Sequence, residues 1–182
     1  MEHSIERAVV ITGSGSGIGA ATARRLAGPG VGILVHAKDN ASGVDAVQRE
    51  LAAKGSVTAG LCEDLAEPGA ADRIIARTMS AFGRIDALIH VAGYPVRGGF
   101  GADKASAAEC FDAIPLAFYR LVTGAMASLT KAGDGRVVAV GTITPMSFAM
   151  IIRSTLSPVP RRRHSKSWCG PWPSSSRRRA PR

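Results

Sequence analysis

The stretch "VVITGSGSGIGAATARRLA" restricts what this chain can fold into more than any other. The β-branched run ending at Thr12 passes straight into glycines at Gly13, Gly15, Gly17 and Gly19, and the Ala-rich segment after them has helical spacing. A strand that turns this tightly into a helix needs glycine. Backbone stripped of side chains can also approach a pyrophosphate, and the helix N-terminus offers free amides and the positive end of its dipole. Residues Thr12, Gly13, Ser14, Gly15, Ser16, Gly17, Ile18 and Gly19 are therefore candidates for holding phosphate.

The rest of the first 145 residues repeats that unit. "RAVVIT", "VGILVH", "SVTAGL", "IDALIHVAG" and "GRVVAVGT" read as strands, and residues 17–28, 42–54 and 68–82 carry apolar side chains at helical spacing. Strands that are almost continuously apolar, alternating with helices, predict a parallel sheet covered on both faces. Residues 105–133 read as one long helix ending at Gly133, with a kink or break near Ile114 because Pro115 removes a backbone donor and crowds the preceding turn. No internal repeat is evident, and no uninterrupted apolar run approaches the 20 or so residues of a membrane span. The three cysteines, Cys62, Cys110 and Cys169, lack CxxC spacing and are expected as small buried residues in a reducing, cytoplasmic setting, without a metal site.

Charge divides the chain in two. The formal net charge is +9, yet residues 1–150 balance 14 basic against 14 acidic side chains, whereas residues 151–182 hold nine basic residues and no acid. This predicts a domain over 1–150 and a Pro/Ser/Arg-rich tail over 151–182 that is too poor in apolar side chains to pack.

The motif Thr-Gly-x-x-x-Gly-Ile-Gly at residues 12–19 resembles that of the short-chain dehydrogenase/reductase family, Rossmann-fold NAD(P)-dependent oxidoreductases, and further matches follow in order. "CEDLAEP" resembles the family's Asp-Leu after the third strand, which implies that Asp64 contacts the adenine and Leu65 lines its pocket. "IHVAG" resembles its Asn-Asn-Ala-Gly element, with Ala92 and Gly93 retained and His90 and Val91 in place of the asparagines. Val91, Ala92 and Gly93 are thereby implied at the cofactor, while His90 is expected to fill space at a strand end. The resemblance runs from about residue 7 to residue 144. It implies a doubly wound, three-layer α/β/α fold, incomplete at its C-terminal side.

In such folds an acid at the end of the second strand selects NAD, and a basic residue accommodates the 2′-phosphate of NADP. Here "VHAKDN" puts Ala37 where the acid tends to stand and Lys38 beside it, which favours NADP, with NAD possible. The family's Ser, Tyr and Lys reduce a carbonyl or oxidise an alcohol. Thr142 aligns with the Ser and keeps the hydroxyl, but no Tyr followed four residues later by Lys stands near Thr155, and the family's helix-borne Asn aligns with Pro115. The resemblance thus implies an oxidoreductase for small carbonyl or hydroxyl substrates whose chemical step is impaired. The alternatives are a dinucleotide-binding protein without catalysis and, behind it, polyanion binding by the basic tail. Shifting plausible GC-rich codons of "HSKSWCGPWPSSSRR" by one frame yields an amphipathic helix ending Glu-Leu-Ala-Pro, similar to the family's later helix. The tail is therefore expected to be a frameshift product rather than a nucleic-acid site, with the family's homo-oligomer interface lost.

Overall fold

The computed structural model of the chain describes residues 4–93 and 104–141. Five strands, β1 (Arg7–Thr12), β2 (Val31–Ala37), β3 (Val57–Cys62), β4 (Ala87–His90) and β5 (Arg136–Ala139), alternate with helices α1 (Gly17–Leu26), α2 (Ala41–Ala53), α3 (Ala70–Phe82), α4 (Lys104–Phe111) and α5 (Ala117–Lys131). Every strand pair is parallel and the order is β3-β2-β1-β4-β5, with Val9 opposite Ile33 on one side and opposite Ala87 on the other. This is the doubly wound α/β sheet that the strand and helix patterns predict.

Period-two alternation along β1 sends its side chains into two separate cores. Ala8 and Val10 pack with Leu34, Ile74, Leu121 and Leu129 under α3 and α5. Val9 and Ile11 pack with Ile33, Val35, Val44, Val47 and Leu51 under α1 and α2. Such central strands must be apolar on both faces, which explains why their sequences lack alternation.

Element ends differ from the sequence expectation where turn chemistry intervenes. The first helix stops at Leu26, not residue 28, because Ala27 is already extended ahead of Gly28 and Pro29. The third begins at Ala70 rather than 68, because Gly69 adopts φ +76°. The break expected near Ile114 takes the form of a π-helical turn, Asp112–Leu116, that joins α4 to α5. Widening the turn absorbs a residue that has no N–H to donate, so the helix continues past Pro115.

That continuity lengthens the helix, although Glu109, Asp112 and Arg120 still interrupt its apolar run. Ala108–Lys131 is long enough, and at a mean hydropathy of 1.2 apolar enough, to pass the test for a membrane span. Its Ala117, Leu121, Ala125 and Leu129 recur every four residues and are buried in the core beside α3, which is the stripe of a core helix. The cysteines also differ: Cys62 is exposed and Cys110 half-buried. Cys169, Thr142, the positions near Thr155 and the tail over 151–182 lie outside the described residues.

At the end of the sheet away from the glycine turn, Asp86 joins three strands. Its Oδ2 accepts from Ala8 N at 2.7 Å, and its own amide donates to Ala8 O at 2.9 Å. Its carbonyl accepts from Arg136 N, and Arg84 grips the carboxylate through Nε and Nη2 at 2.8 and 2.6 Å.

Candidate functional site

The strand order reverses beside β1: the chain winds outward to β3, then crosses back to β4 on the other flank. Loops leaving the carboxyl ends of β1 and β4 therefore diverge, and a crevice opens between them. A cleft of about 260 Å³ lies there, bordered by the loops after all four strands β1 to β4. Gly13, Gly15 and Ser16 form one wall, Ala37 and Lys38 another, Asp64 and Leu65 a third, and Val91, Ala92 and Gly93 the fourth. These ten sequence candidates are brought together.

The glycine turn has two separate requirements. Gly13 sits at φ +66°, and a Cβ there would lie 2.8 Å from the backbone N and Cα of Ala92, so no other residue lets the turn press against the loop after β4. Gly19 packs the first turn of α1 directly on the Gly13 carbonyl. Five candidates fall off the cleft wall: Thr12, Ser14, Gly17, Ile18 and Gly19. Gly17 and Gly19 shape the helix start, while the Ile18 side chain is 64% exposed.

Thr12 and Ser14 are fully buried, and their hydroxyls are committed to the protein. Thr12 Oγ1 accepts from the amides of Val91 and Ala92, both at 3.2 Å, and donates to His90 Nδ1 at 2.9 Å. Ser14 Oγ donates to Ile11 O at 2.6 Å and accepts from His36 N at 3.0 Å. Both residues therefore brace the cleft from behind: one pins β1 to the loop after β4, the other pins the glycine turn to β2.

Sequence reasoning overlooked His36. It is 1% exposed, takes the Gly13 N–H on Nδ1 at 3.2 Å and meets the Glu63 carbonyl through Nε2 at 2.9 Å. An amide can only donate, so Nδ1 is the acceptor and the proton sits on Nε2. Burial lowers the pKa of His36, and the Glu63 carbonyl offsets this in part. One neutral imidazole thus ties the glycine turn to the residue before Asp64. Nothing local in the sequence marks His36, because both its partners come from other loops.

His90 stands across Thr12 from His36, on the neighbouring strand β4. Its Nδ1 accepts from Thr12, its ring lies 5.7 Å from that of Phe118, and its Nε2 makes no hydrogen bond among the described residues. Burial pushes its pKa down to about 4, and the neighbouring His36 adds to the effect; the Ile114 carbonyl counters without completing a hydrogen bond. His90 is a packed strand-end residue, as the sequence suggests, but one that holds Thr12 in place.

At the outer end of the cleft Lys38 is the basic group, with Asp39, Glu63 and Asp64 around it. Its ammonium bridges Asp64 Oδ2 at 2.8 Å and Glu109 Oε1 at 3.0 Å. Those two hydrogen bonds raise the Lys38 pKa above its usual value. Burial opposes ionisation of Asp64, but the bonds from Lys38 and from Ala66 N outweigh it and hold the carboxyl below the usual range. The Asp64 carboxylate also accepts the Ala66 amide at 3.0 Å, so it serves as a local cap while facing the cleft. Glu109, on α4, is a second residue that sequence reasoning did not single out.

The sequence matches the short chain dehydrogenase family over residues 7–150. It is 39% identical over 87 residues to subunit BbsD of (2S)-[(R)-hydroxy(phenyl)methyl]succinyl-CoA dehydrogenase from Thauera aromatica, which covers 48% of this chain and 35% of that protein. Subunit BbsC of the same enzyme is 30% identical over 152 residues, covering 81% of this chain and 59% of that one. Among solved structures, L-sorbose reductase from Gluconobacter frateurii, complexed with NADPH and L-sorbose, superposes with a TM-score of 0.70 at 27% identity, over 79% of this chain and 55% of its own. The NADP-bound 3-oxoacyl (acyl-carrier-protein) reductase from Agrobacterium tumefaciens gives 0.69 at 28% identity, over 79% and 57%. The chain spans little more than half the length of these solved structures. With the family match covering most of its residues, and a doubly wound parallel sheet carrying a glycine turn at the switch point, the chain belongs to the short-chain dehydrogenase family.

Proposed function

We propose that the cleft binds a nicotinamide dinucleotide, NADP(H) ahead of NAD(H), and that the chain is an oxidoreductase for a small carbonyl or hydroxyl substrate with an impaired chemical step. The observation that carries the first part is the cradle at Gly13. Side-chain-free backbone faces the cleft where a Cβ would collide with Ala92, which suits the close approach of a pyrophosphate. Ala37 leaves the end of β2 without a carboxylate, and Lys38 offers a cation for a 2′-phosphate. Relatives crystallised with NADP or NADPH support the same choice.

Bound there, the nicotinamide would supply the hydride. This chain's own residues would position it: Gly13 and Gly15 at the phosphates, Asp64 and Leu65 at the adenine, Val91 to Gly93 along the inner wall. Thr142 would orient the substrate oxygen. The absence of a Tyr and Lys pair near Thr155 removes the acid-base partner, whose assistance is worth about 10²–10⁴-fold. The same proposal places the chain in a reducing, cytoplasmic setting, in keeping with three cysteines that lack CxxC spacing.

A second reading, NAD ahead of NADP, is favoured by one feature: Lys38 is shared between two carboxylates, with Asp39 and Glu63 nearby. Fluorescence titration of the purified chain with NADPH and NADH separates the two. The expected outcome is tighter NADPH binding, with Lys38→Ala weakening NADPH by about tenfold and leaving NADH within about twofold, as expected for loss of one charge-assisted contact. Equal affinities in the unmodified chain would overturn the NADP assignment. Ketone turnover at rates ordinary for intact relatives would overturn the impaired chemistry.

A further inference from the structure

We propose that Glu109 sets the cofactor preference of this chain by competing with the 2′-phosphate of NADP for Lys38. The inference rests on reading the cleft as a dinucleotide site, and it adds a determinant from a helix that carries no part of the glycine turn. Glu109 lies one helical turn before Ala113, and Ala113 lines the cleft, so the register of α4 and the π turn brings its carboxylate to the cleft's mouth. There Oε1 takes a hydrogen bond from Lys38 Nζ at 3.0 Å, from a residue 71 positions earlier in the chain. The pair is open to solvent on both sides, with side-chain exposures of 48% and 46%, so a ligand can reach it without unfolding anything.

The two cofactors differ at one place, a hydroxyl in NAD and a phosphate of nearly two negative charges in NADP. A hydroxyl can share Lys38 with Glu109. A phosphate that takes up Lys38 must displace the Glu109 carboxylate or sit beside it, and like charges at such range repel. Asp64, another partner of Lys38 among the described residues, is held by the Ala66 amide and faces both cofactors alike. Glu109 therefore acts against NADP selectively, and the chain discriminates between the two cofactors less than Lys38 alone would allow.

The test compares Glu109→Gln and Glu109→Asp with the unmodified chain in titrations with NADPH and NADH, alongside Lys38→Ala. Glu109→Gln should tighten NADPH about three- to tenfold, the range for relieving one partly exposed charge contact, with NADH within about twofold. Glu109→Asp keeps the charge and should stay near the unmodified ratio. If Glu109→Gln leaves the NADPH/NADH ratio unchanged while Lys38→Ala lowers it, Glu109 has no such role and the NADP reading survives. Should the unmodified chain prefer NADH, but Glu109→Gln shift the ratio toward NADPH, the NADP preference fails and the role of Glu109 stands. Equal shifts for both cofactors would also overturn it, since they would mean a general effect on the cleft.

Discussion

At the scale of single residues, the site depends on atoms that leave no room for alternatives. Gly13→Ala would place a methyl group 2.8 Å from the backbone of Ala92 on a residue already at φ +66°, so the turn must move away from the cleft wall. Strain of this kind costs about 1–3 kcal/mol. NADPH affinity should fall by more than tenfold in a titration, together with a lower melting temperature; unchanged affinity would mean that the turn does not face the cofactor. His90 gives a pH prediction. Its folded pKa, about 4, lies below the ordinary value of 6.5, so the unfolded chain takes up a proton first as the pH drops. Its contribution is complete above about pH 6.5 and is lost as the pH falls toward 4, on the order of 3 kcal/mol in all. Melting temperatures of the unmodified chain and His90→Asn between pH 7 and 4 should converge at the acid end, since asparagine keeps a polar group beside Thr12 without a titrating ring. Parallel curves would assign the acid sensitivity elsewhere.

At the scale of elements, the strand ends are joined by polar side chains as much as by the ladder. Asp86→Ala would leave Ala8 N without its acceptor and Arg84 without its partner inside a junction of β1, β4 and β5. A loss of about 1–3 kcal/mol is expected in denaturant unfolding, with cofactor binding little changed because the junction lies at the far end of the sheet. The strands themselves were legible in the sequence because burial on both faces demands unbroken apolar runs, and the glycine turn because its backbone demands are local. The shape of the turn around Pro115 was not: a missing donor is compatible with a break or with a wider turn, and tertiary packing decides between them. The hydrogen bonds of the Thr12 and Ser14 hydroxyls are hidden from the sequence for a related reason. Their partners, His90 and His36, stand 78 and 22 residues away, so only strand pairing reveals that the oxygens point inward. Lys38 was read as a phosphate ligand from its neighbours in sequence, whereas its shared ion pair with Glu109 arises only once α4 is packed.

At the scale of the whole molecule, the sheet does more than hold the loops of the cleft in register. It separates two cores that share strands but not side-chain contacts: Val47 belongs to one and Leu129 to the other, both essentially without exposure. The sheet is thus a partition, and damage on its two sides should sum. Val47→Ala and Leu129→Ala each remove packed methyl groups, at a cost on the order of 1–5 kcal/mol apiece, and the double variant should lose the total of the two within about 0.5 kcal/mol. A larger deviation in a double-mutant cycle would mean that strain crosses the strands. Additivity would mean that the α1–α2 face, which borders the glycine turn, can be repacked without regard to the α3–α5 face behind it.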